Sequence, residues 1–210
     1  MEEKKEYIVE NVAFLFLKRG IRNVTMDDVA SEFGISKKTL YQFFTDKQAL
    51  VTEVIEFLIE SQHYKFNDPA VGNAIDMTFE LRKSISPILR MYHHNMETEL
   101  KKTYPVLFRR VYEFKRKRIF DSTMENLKLG MAQGLYRNDI DPYFISKLLL
   151  GRFLYTINPE YKIFEEYEVH STSLYDQILD YHMHAICTPA GLEYYKKLII
   201  NVQNETNPQQ

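Results

Sequence analysis

Apolar residues recur at helical spacing from the start of the chain. Between residues 7 and 17 they fall at i, i+4, i+7 and i+8, which predicts an amphipathic helix. The residues that form this stripe are Ile8, Val12, Leu15 and Phe16. Arg19 and Gly20 then supply a cationic last turn and a glycine suited to the residue after a helix, so the first helix is expected to end there.

Capping residues divide the next stretch into short helices. Thr25, with Asp28 three residues later, predicts a capped helix to about residue 33, which Gly34 ends. Ser36 predicts the cap of a second short helix to about residue 44. Thr45 and Gln48 form a T-x-x-Q pattern that predicts a capping box for a fourth helix to about residue 62.

Proline marks the helix starts farther along the chain. Asp68-Pro69, Asp141-Pro142 and Thr188-Pro189 each place a capping residue before a proline, and Pro105 marks another start. The helical segments predicted in this way are 69–97, 105–133, 142–157, 172–186 and 189–200. Pro87 lies inside the first of them and is expected to kink it.

The predicted fold class is therefore all-α. We expect an N-terminal three-helix domain with a helix-turn-helix over residues 1–47, a larger helical domain over 48–200, and a disordered polar tail over 201–210. With only seven glycines and seven prolines among 210 residues, a sandwich or barrel of many short strands is not expected.

Charge changes the picture of the first domain. Residues 1–47 carry eight Lys or Arg and eight Asp or Glu, so this region is neutral in a chain of net charge −2. Any contact with nucleic acid must come from locally placed cations rather than from a basic domain. The single cysteine, Cys187, cannot form an internal disulfide, and the N-terminus lacks the pattern of a signal peptide, so a cytoplasmic location without membrane insertion is expected.

The spacing within residues 26–44 is typical of two short crossed helices. Their buried positions are expected to be Val29, Phe33, Ile35, Leu40 and Phe43. Ala30 falls where the helices would cross most closely, and Gly34 opens the turn, where a left-handed backbone favours a residue without Cβ. This pattern indicates a helix-turn-helix.

The motif Arg19-Gly20 followed by TMDDVASEFGISKKTLYQFFTDKQALV resembles the N-terminal domain of the tetracycline-repressor (TetR) family of transcriptional regulators. Weaker resemblance lies in GMAQGLYRNDIDP and AICTPAGLEYY, which are similar to segments near the dimerising helices of that family. The resemblance implies a DNA-binding regulator, a repressor rather than an activator, that binds a palindromic operator as a homodimer.

The resemblance also implies which residues contact double-stranded DNA. The helix that begins after Ser36 would enter the major groove and place lysines and a glutamine near base edges, with hydroxyls near phosphate. The implied contacts are Thr25, Ser36, Lys37, Lys38, Thr39, Tyr41, Gln42 and Lys47. Lys38 replaces the small residue and Phe43 the His or Tyr usual in the family, so the operator sequence does not carry over.

The second domain is expected to hold a largely apolar small-molecule effector and to pair two subunits. Methionine and tyrosine on apolar helical stripes suit an adaptable cavity, although core packing explains each position as well. The candidate pocket residues are Met77, Leu81, Ile88, Tyr92, Met96, Phe120, Met124 and Leu127. The candidate dimer contacts are Phe144, Leu148, Phe153, Leu174, Ile178 and Met183.

Two other classes stay open: a helical protein-interaction module and an enzyme without DNA binding. No G-x-S-x-G, phosphate-binding glycine loop or H-E-x-x-H supports catalysis, and no cofactor is expected. The histidines 93, 94, 182 and 184 with Cys187 do not form a metal-ligand pattern. Six cations within residues 109–118 are interpreted as a solvated helix face rather than a second binding patch.

Overall fold

The computed structural model describes residues 2–60, 72–91, 95–156, 161–169 and 171–206, and for 84–91, 95–97, 166 and 201–206 it describes the backbone alone. These residues form helices, and one isolated bridge joins Tyr136 to Cys187. The helices are α1 (Glu2–Arg19), α2 (Met26–Glu32), α3 (Lys37–Phe43), α4 (Lys47–Glu60), α5 (Ala74–Met91), α6 (Asn95–Thr103), α7 (Pro105–Ala132), α8 (Pro142–Thr156), α9 (Glu166–Val169), α10 (Thr172–Ile186) and α11 (Pro189–Thr206). The all-α class is confirmed.

The chain divides into two compact units, the first from Met1–His63 and Met91–Arg116 and the second from Tyr64–Arg90 and Lys117–Gln210. The first unit therefore extends beyond residue 47, since α4 contributes buried residues to the same core as α1. Compactness does not assign function, so the division at residue 47 between DNA binding and effector binding stays a prediction.

The core of the first unit is built from the stripe predicted for α1 and the apolar face of α4. Ile8, Val12 and Phe16 are buried, and so are Val51 and Val54. Burying such aliphatic and aromatic side chains stabilises the fold by about 1.5–3 kcal/mol each. This packing fixes α1 and α4 as the support on which α2 and α3 rest.

The helix-turn-helix has the predicted caps. The Thr25 side chain accepts a hydrogen bond from the Asp28 N–H while the Asp28 carboxylate accepts one from the Thr25 N–H, a complete capping box. Ser36 caps α3 by accepting from the Thr39 N–H at 3.1 Å. Gly34 has φ of +59° in the turn, as the sequence predicts.

The predicted cap of α4 was wrong by one residue. The helix begins at Lys47, and the Asp46 carboxylate, not the Thr45 hydroxyl, accepts the hydrogen bond from the Ala49 N–H at 2.7 Å. Both residues can cap a helix, and an ionised carboxylate makes the stronger hydrogen bond to backbone N–H groups.

The second unit begins, within the described residues, with an unpredicted cap. Asn73 accepts hydrogen bonds from the N–H groups of Ile75 and Asp76 and so starts α5. The expected start at Pro69 lies outside the described residues. Of the helix predicted over 69–97, the structure describes α5 and the start of α6, and residues 92–94 between them lie outside the described residues. Pro87 lies within α5, and its predicted kink stays a prediction.

Hydrogen bonds and close side-chain packing hold the end of α7 to the start of α11, and this region, residues 134–137 and 186–191, is called the joint. A Cβ added at Gly130 would lie 2.1 Å from the ring of Tyr136, so this glycine makes room for a buried aromatic side chain. The Thr188 N–H donates to the Leu135 carbonyl at 2.9 Å, and the Thr188 hydroxyl accepts from the Gly191 N–H, which confirms Thr188 as a helix cap. Residues 134–137 and 186–191 therefore form one packed structure.

The C-terminal tail differs from the expected disorder at residues 201–206, because α11 continues to Thr206. Extending a formed helix adds a hydrogen bond for each residue fixed, so polar residues can continue it without new apolar contacts. Residues 207–210 lie outside the described residues.

Candidate nucleic-acid interface

The exposed face of α3 carries the side chains that the sequence predicts for base contact. Lys37, Lys38, Tyr41 and Gln42 are exposed, while Leu40 between them is fully buried. Leu40 packs in the core with Val29 and Ala30 of α2, so the buried side of α3 fixes which of its faces is presented to solvent. The arrangement places two ammonium groups, an amide and a phenol on one short helix.

Lys37 has an acidic partner on the neighbouring helix. Its Nζ lies 2.6 Å from Oδ1 of Asp27, and both side chains are 61% exposed. The hydrogen bond to Asp27 and the negative charge of that carboxylate raise the pKa of Lys37, so the ammonium form is maintained. No local pattern in the sequence marks Asp27 as this partner, because a contact between residues ten positions apart depends on how α2 and α3 cross.

The predicted hydroxyl contacts already serve as caps. Thr25 Oγ1 lies 2.6 Å from Oδ2 of Asp28, and its hydrogen bonds lower the pKa of that carboxyl group. The hydroxyls of Ser36 and Thr39 lie 2.9 Å apart. Each of these residues lies at a helix start, where its hydrogen bonds stabilise the first turn of the helix.

Lys47 lies in a different setting from the lysines of α3. It is half-buried, its Nζ donates to the Arg22 carbonyl at 3.3 Å, and burial lowers its pKa, against the opposing effect of Glu99 and Asp28. In this structure Lys47 ties the start of α4 to the turn that follows α1. Its expected role in DNA contact stays a prediction.

The candidate effector residues that the structure describes lie in and around the second core. Met77 and Leu127 are buried, whereas Leu81, Phe120 and Met124 are half-buried. Phe120 packs edge to face on Tyr143, with centroids 5.6 Å apart. Tyr92 and the side chains of Ile88 and Met96 lie outside the described residues. A pocket at these positions stays a prediction.

The candidate dimer contacts divide into two groups. Phe144 and Leu148 on α8 are 60% and 56% exposed, and Phe153 and Ile178 are half-buried. Leu174 and Met183 on α10 are instead buried within the chain itself, and Met183 packs in the second core. Only the first group offers an apolar surface to another molecule in this conformation.

Three other features were considered as functional sites: the cation run at residues 109–118, the histidines as metal ligands, and membrane-spanning helices. Within the cation run, Arg110 pairs with Glu56 of α4 at 2.6 Å and Lys117 pairs with Asp121. Four of the six cations are exposed, whereas Lys115 and Arg118 are half-buried, so the interpretation as a solvated face stays a prediction. The described part of the chain contains no group of three His, Cys, Asp or Glu residues that could hold a metal ion, and His93 and His94 lie outside it. Across the same residues, none of the helices combines the length and the apolar character needed to span a membrane.

Residues 9–54 match the family model for bacterial regulatory proteins of the tetR family. Over 59 residues, 28% of the chain, the sequence is 42% identical to the HTH-type transcriptional regulator YerO of Bacillus subtilis (strain 168). It is 26% identical over 104 residues, 45% of the chain, to the HTH-type transcriptional regulator YhgD of the same organism. The matches span 20% and 54% of those two relatives.

The fold has counterparts among solved structures. A transcriptional regulator from Cytophaga hutchinsonii ATCC 33406 superimposes with a TM-score of 0.67 over 88% of this chain and 99% of that one, at 19% sequence identity. At that level of identity the likeness establishes the fold.

Proposed function

We propose that the chain is a TetR-family regulator, a dimeric repressor that binds a palindromic DNA operator and is released by a small molecule, and the match of residues 9–54 to the family model supports this. The observation that carries the proposal is the face of α3, where Lys37, Lys38 and Gln42 are exposed on a helix whose opposite side is buried. Lysine can donate to guanine and glutamine can read adenine in the major groove.

The DNA contacts divide into reading and positioning roles. Lys37, Lys38 and Gln42 contact base edges, and Tyr41 donates its phenol to phosphate. The side chains of Thr25, Ser36 and Thr39 stabilise the starts of α2 and α3, and Lys47 donates a hydrogen bond to the turn that follows α1. Because the region is neutral overall, its affinity rests on these few groups and on the pairing of two subunits.

Pairing of subunits is assigned to the exposed face of α8. Phe144, Leu148 and Tyr155 recur at i, i+4 and i+11, so they share one side of the helix, and each is more than half exposed. Gly151 lies on the same side, and among the described residues outside its own helix a Cβ built there meets no atom within 4 Å. A second copy of α8 can therefore approach closely, and two helix-turn-helix domains read half-sites about one turn of DNA apart.

The effector is proposed to be a largely apolar small molecule, bound in the second unit near Met77, Leu81, Phe120 and Met124. Binding that favours the conformation unable to fit the operator would release DNA by a shift in population. The protein is expected to act in the cytoplasm, where its DNA target lies.

The test is a mobility-shift titration of the wild-type protein with the DNA upstream of its own gene, at two salt concentrations. The triple variant Lys37→Ala, Lys38→Ala, Tyr41→Phe should lose the specific shift, whereas Val106→Ala, at an exposed residue of α7, should keep it. Specific binding that survives the triple variant contradicts the assigned contacts. A wild-type protein that binds no DNA supports the interaction module instead.

A further inference from the structure

We propose that Asp27 is a specificity-determining residue for DNA recognition, acting by restraining the ammonium of Lys37. The inference rests on the proposed function, since it concerns how the same α3 face distinguishes an operator from other DNA. Its basis is the ion pair that joins the first turn of α2 to the first residue of α3.

Asp27 supplies the carboxylate that α3 does not supply itself. The first turn of α3 contains Lys37 and Lys38 and no acidic residue, whereas the first turn of α2 contains Asp27 and Asp28. Asp28 is engaged in the capping box with Thr25, so its carboxylate serves the helix start. Asp27 pairs instead with Lys37, and the two adjacent acids have separate roles.

The ion pair affects two kinds of DNA contact differently. Affinity for any sequence comes from cations that displace counterions from phosphates, and a lysine held by a carboxylate contributes less to this term. A specific contact requires the ammonium near guanine O6 and N7, and a side chain with fewer conformations loses less entropy on reaching that position. The pair therefore lowers non-specific affinity more than operator affinity.

Exposure of the pair leaves Lys37 accessible to DNA. Both side chains are 61% exposed, so the ammonium can keep its contact with Asp27 and present its other N–H donors to a base edge. Loss of the Asp27 carboxylate has two effects at once. It changes the net charge of residues 1–47 from zero to +1, and it removes the restraint on Lys37. A charge-matched control is needed to separate those two effects.

Glu32, an exposed acid at the opposite end of α2, provides that control. Asp27→Asn and Glu32→Gln change the net charge equally, but only the first removes the partner of Lys37. The probes are an operator duplex selected from a random pool with wild-type protein, and a scrambled duplex of equal length and composition. Binding to each is measured by fluorescence anisotropy over a range of salt concentrations.

Asp27→Asn is expected to raise affinity for the scrambled duplex by roughly fivefold and to steepen its salt slope by about 0.9 per subunit, the value of one added phosphate contact. Operator affinity is expected to change by less than about twofold, so the specificity ratio falls. Glu32→Gln should leave the ratio near its wild-type value. In a Lys37→Ala background, Asp27→Asn should have no effect beyond that of Glu32→Gln, as a double-mutant cycle would show.

Two results would overturn the inference while the proposed function stands: equal effects of Asp27→Asn and Glu32→Gln, or an Asp27→Asn effect that persists without Lys37. A wild-type protein that binds neither duplex overturns the proposed function itself. Circular dichroism of each variant verifies the fold, and a merely structural role of Asp27 would not change the salt slope.

Discussion

Glu99 of α6 accepts a hydrogen bond from the backbone N–H of Arg22, with Oε2 at 2.9 Å from the nitrogen. A Cβ built at Gly20 would lie 3.3 Å from the same carboxylate, and Gly20 has φ of +78°. The turn after α1 is therefore fitted to one side chain from a helix 77 residues away in the sequence. Lys47 contacts this turn as well, through the Arg22 carbonyl.

We expect Glu99→Ala to lower the free energy of unfolding by about 1–2 kcal/mol, because the Arg22 N–H loses a charged acceptor. Glu99→Gln keeps an acceptor oxygen and should cost less. Urea denaturation of both variants checks this prediction. An equal loss in the two variants would mean that the charge, and not the hydrogen bond, supports the turn.

The cap of α4 can be tested with adjacent residues. Asp46→Ala should lower the free energy of unfolding by about 1 kcal/mol, since the Ala49 N–H loses its acceptor. Thr45→Ala should change it by less than about 0.5 kcal/mol, as is usual for exposed positions. Thermal unfolding at fixed protein concentration compares the two, and a larger effect at Thr45 would restore the cap that the sequence predicts.

His182 should make stability depend on pH. Burial, with a smaller effect from the charge of Arg152, lowers the pKa of His182 to about 4, against an ordinary value of about 6.5. Between those values the unfolded chain binds more protons than the folded one, so the free energy of unfolding falls as pH falls from about 6.5 to 4 and is unaffected by this group above that window.

The loss from His182 should approach at most ~1.4 kcal/mol per pH unit within the window. His182→Gln should remove this contribution, so the variant and the wild type are compared by urea denaturation at several pH values. A pH dependence that is identical in both proteins would exclude His182 as its source.

A charge introduced on the exposed apolar face of α8 should change the oligomeric state of the protein. Leu148→Glu should shift the protein toward monomer without unfolding it, because Leu148 is 56% exposed and makes little contribution to the chain's own core. Val106→Glu, at a valine that is 74% exposed on α7, should leave the oligomeric state unchanged. Analytical ultracentrifugation measures both, and a fully dimeric Leu148→Glu protein would place the interface elsewhere.

Glycines on two neighbouring helices should respond in opposite directions to a methyl group. Gly130→Ala forces Cβ against the ring of Tyr136 and should destabilise the protein by about 1–3 kcal/mol or more. The methyl group of Gly151→Ala meets no atom of another described element within 4 Å and adds helix propensity, about 0.5–1 kcal/mol. Unfolding measured below the concentration of dimer formation isolates the contribution of the chain itself.

Local signals in the sequence were enough to predict the helix-turn-helix. The caps Thr25 and Ser36 and the turn glycine Gly34 each act through neighbours within four residues, so their chemistry is readable from adjacent positions. The same holds for Thr188, whose hydroxyl accepts from the Gly191 N–H. These features recur wherever the local pattern recurs.

Contacts between distant residues were not predictable in this way. The pairing of Lys37 with Asp27, the hydrogen bond from Arg22 to Glu99 and the burial of Met183 depend on how helices pack. Periodicity places Met183 on an apolar stripe but does not say whether that stripe faces the chain's own core or another molecule.

The joint around Tyr136 gives the molecule a built-in chemical reporter. Cys187 is the chain's single cysteine, lies buried where its backbone bridges to Tyr136, and has a thiol whose pKa burial raises to about 11. It therefore reacts with a thiol reagent chiefly when the joint opens. The rate of its alkylation therefore measures how readily this region opens, averaged over the molecules in solution, without any substitution in the sequence.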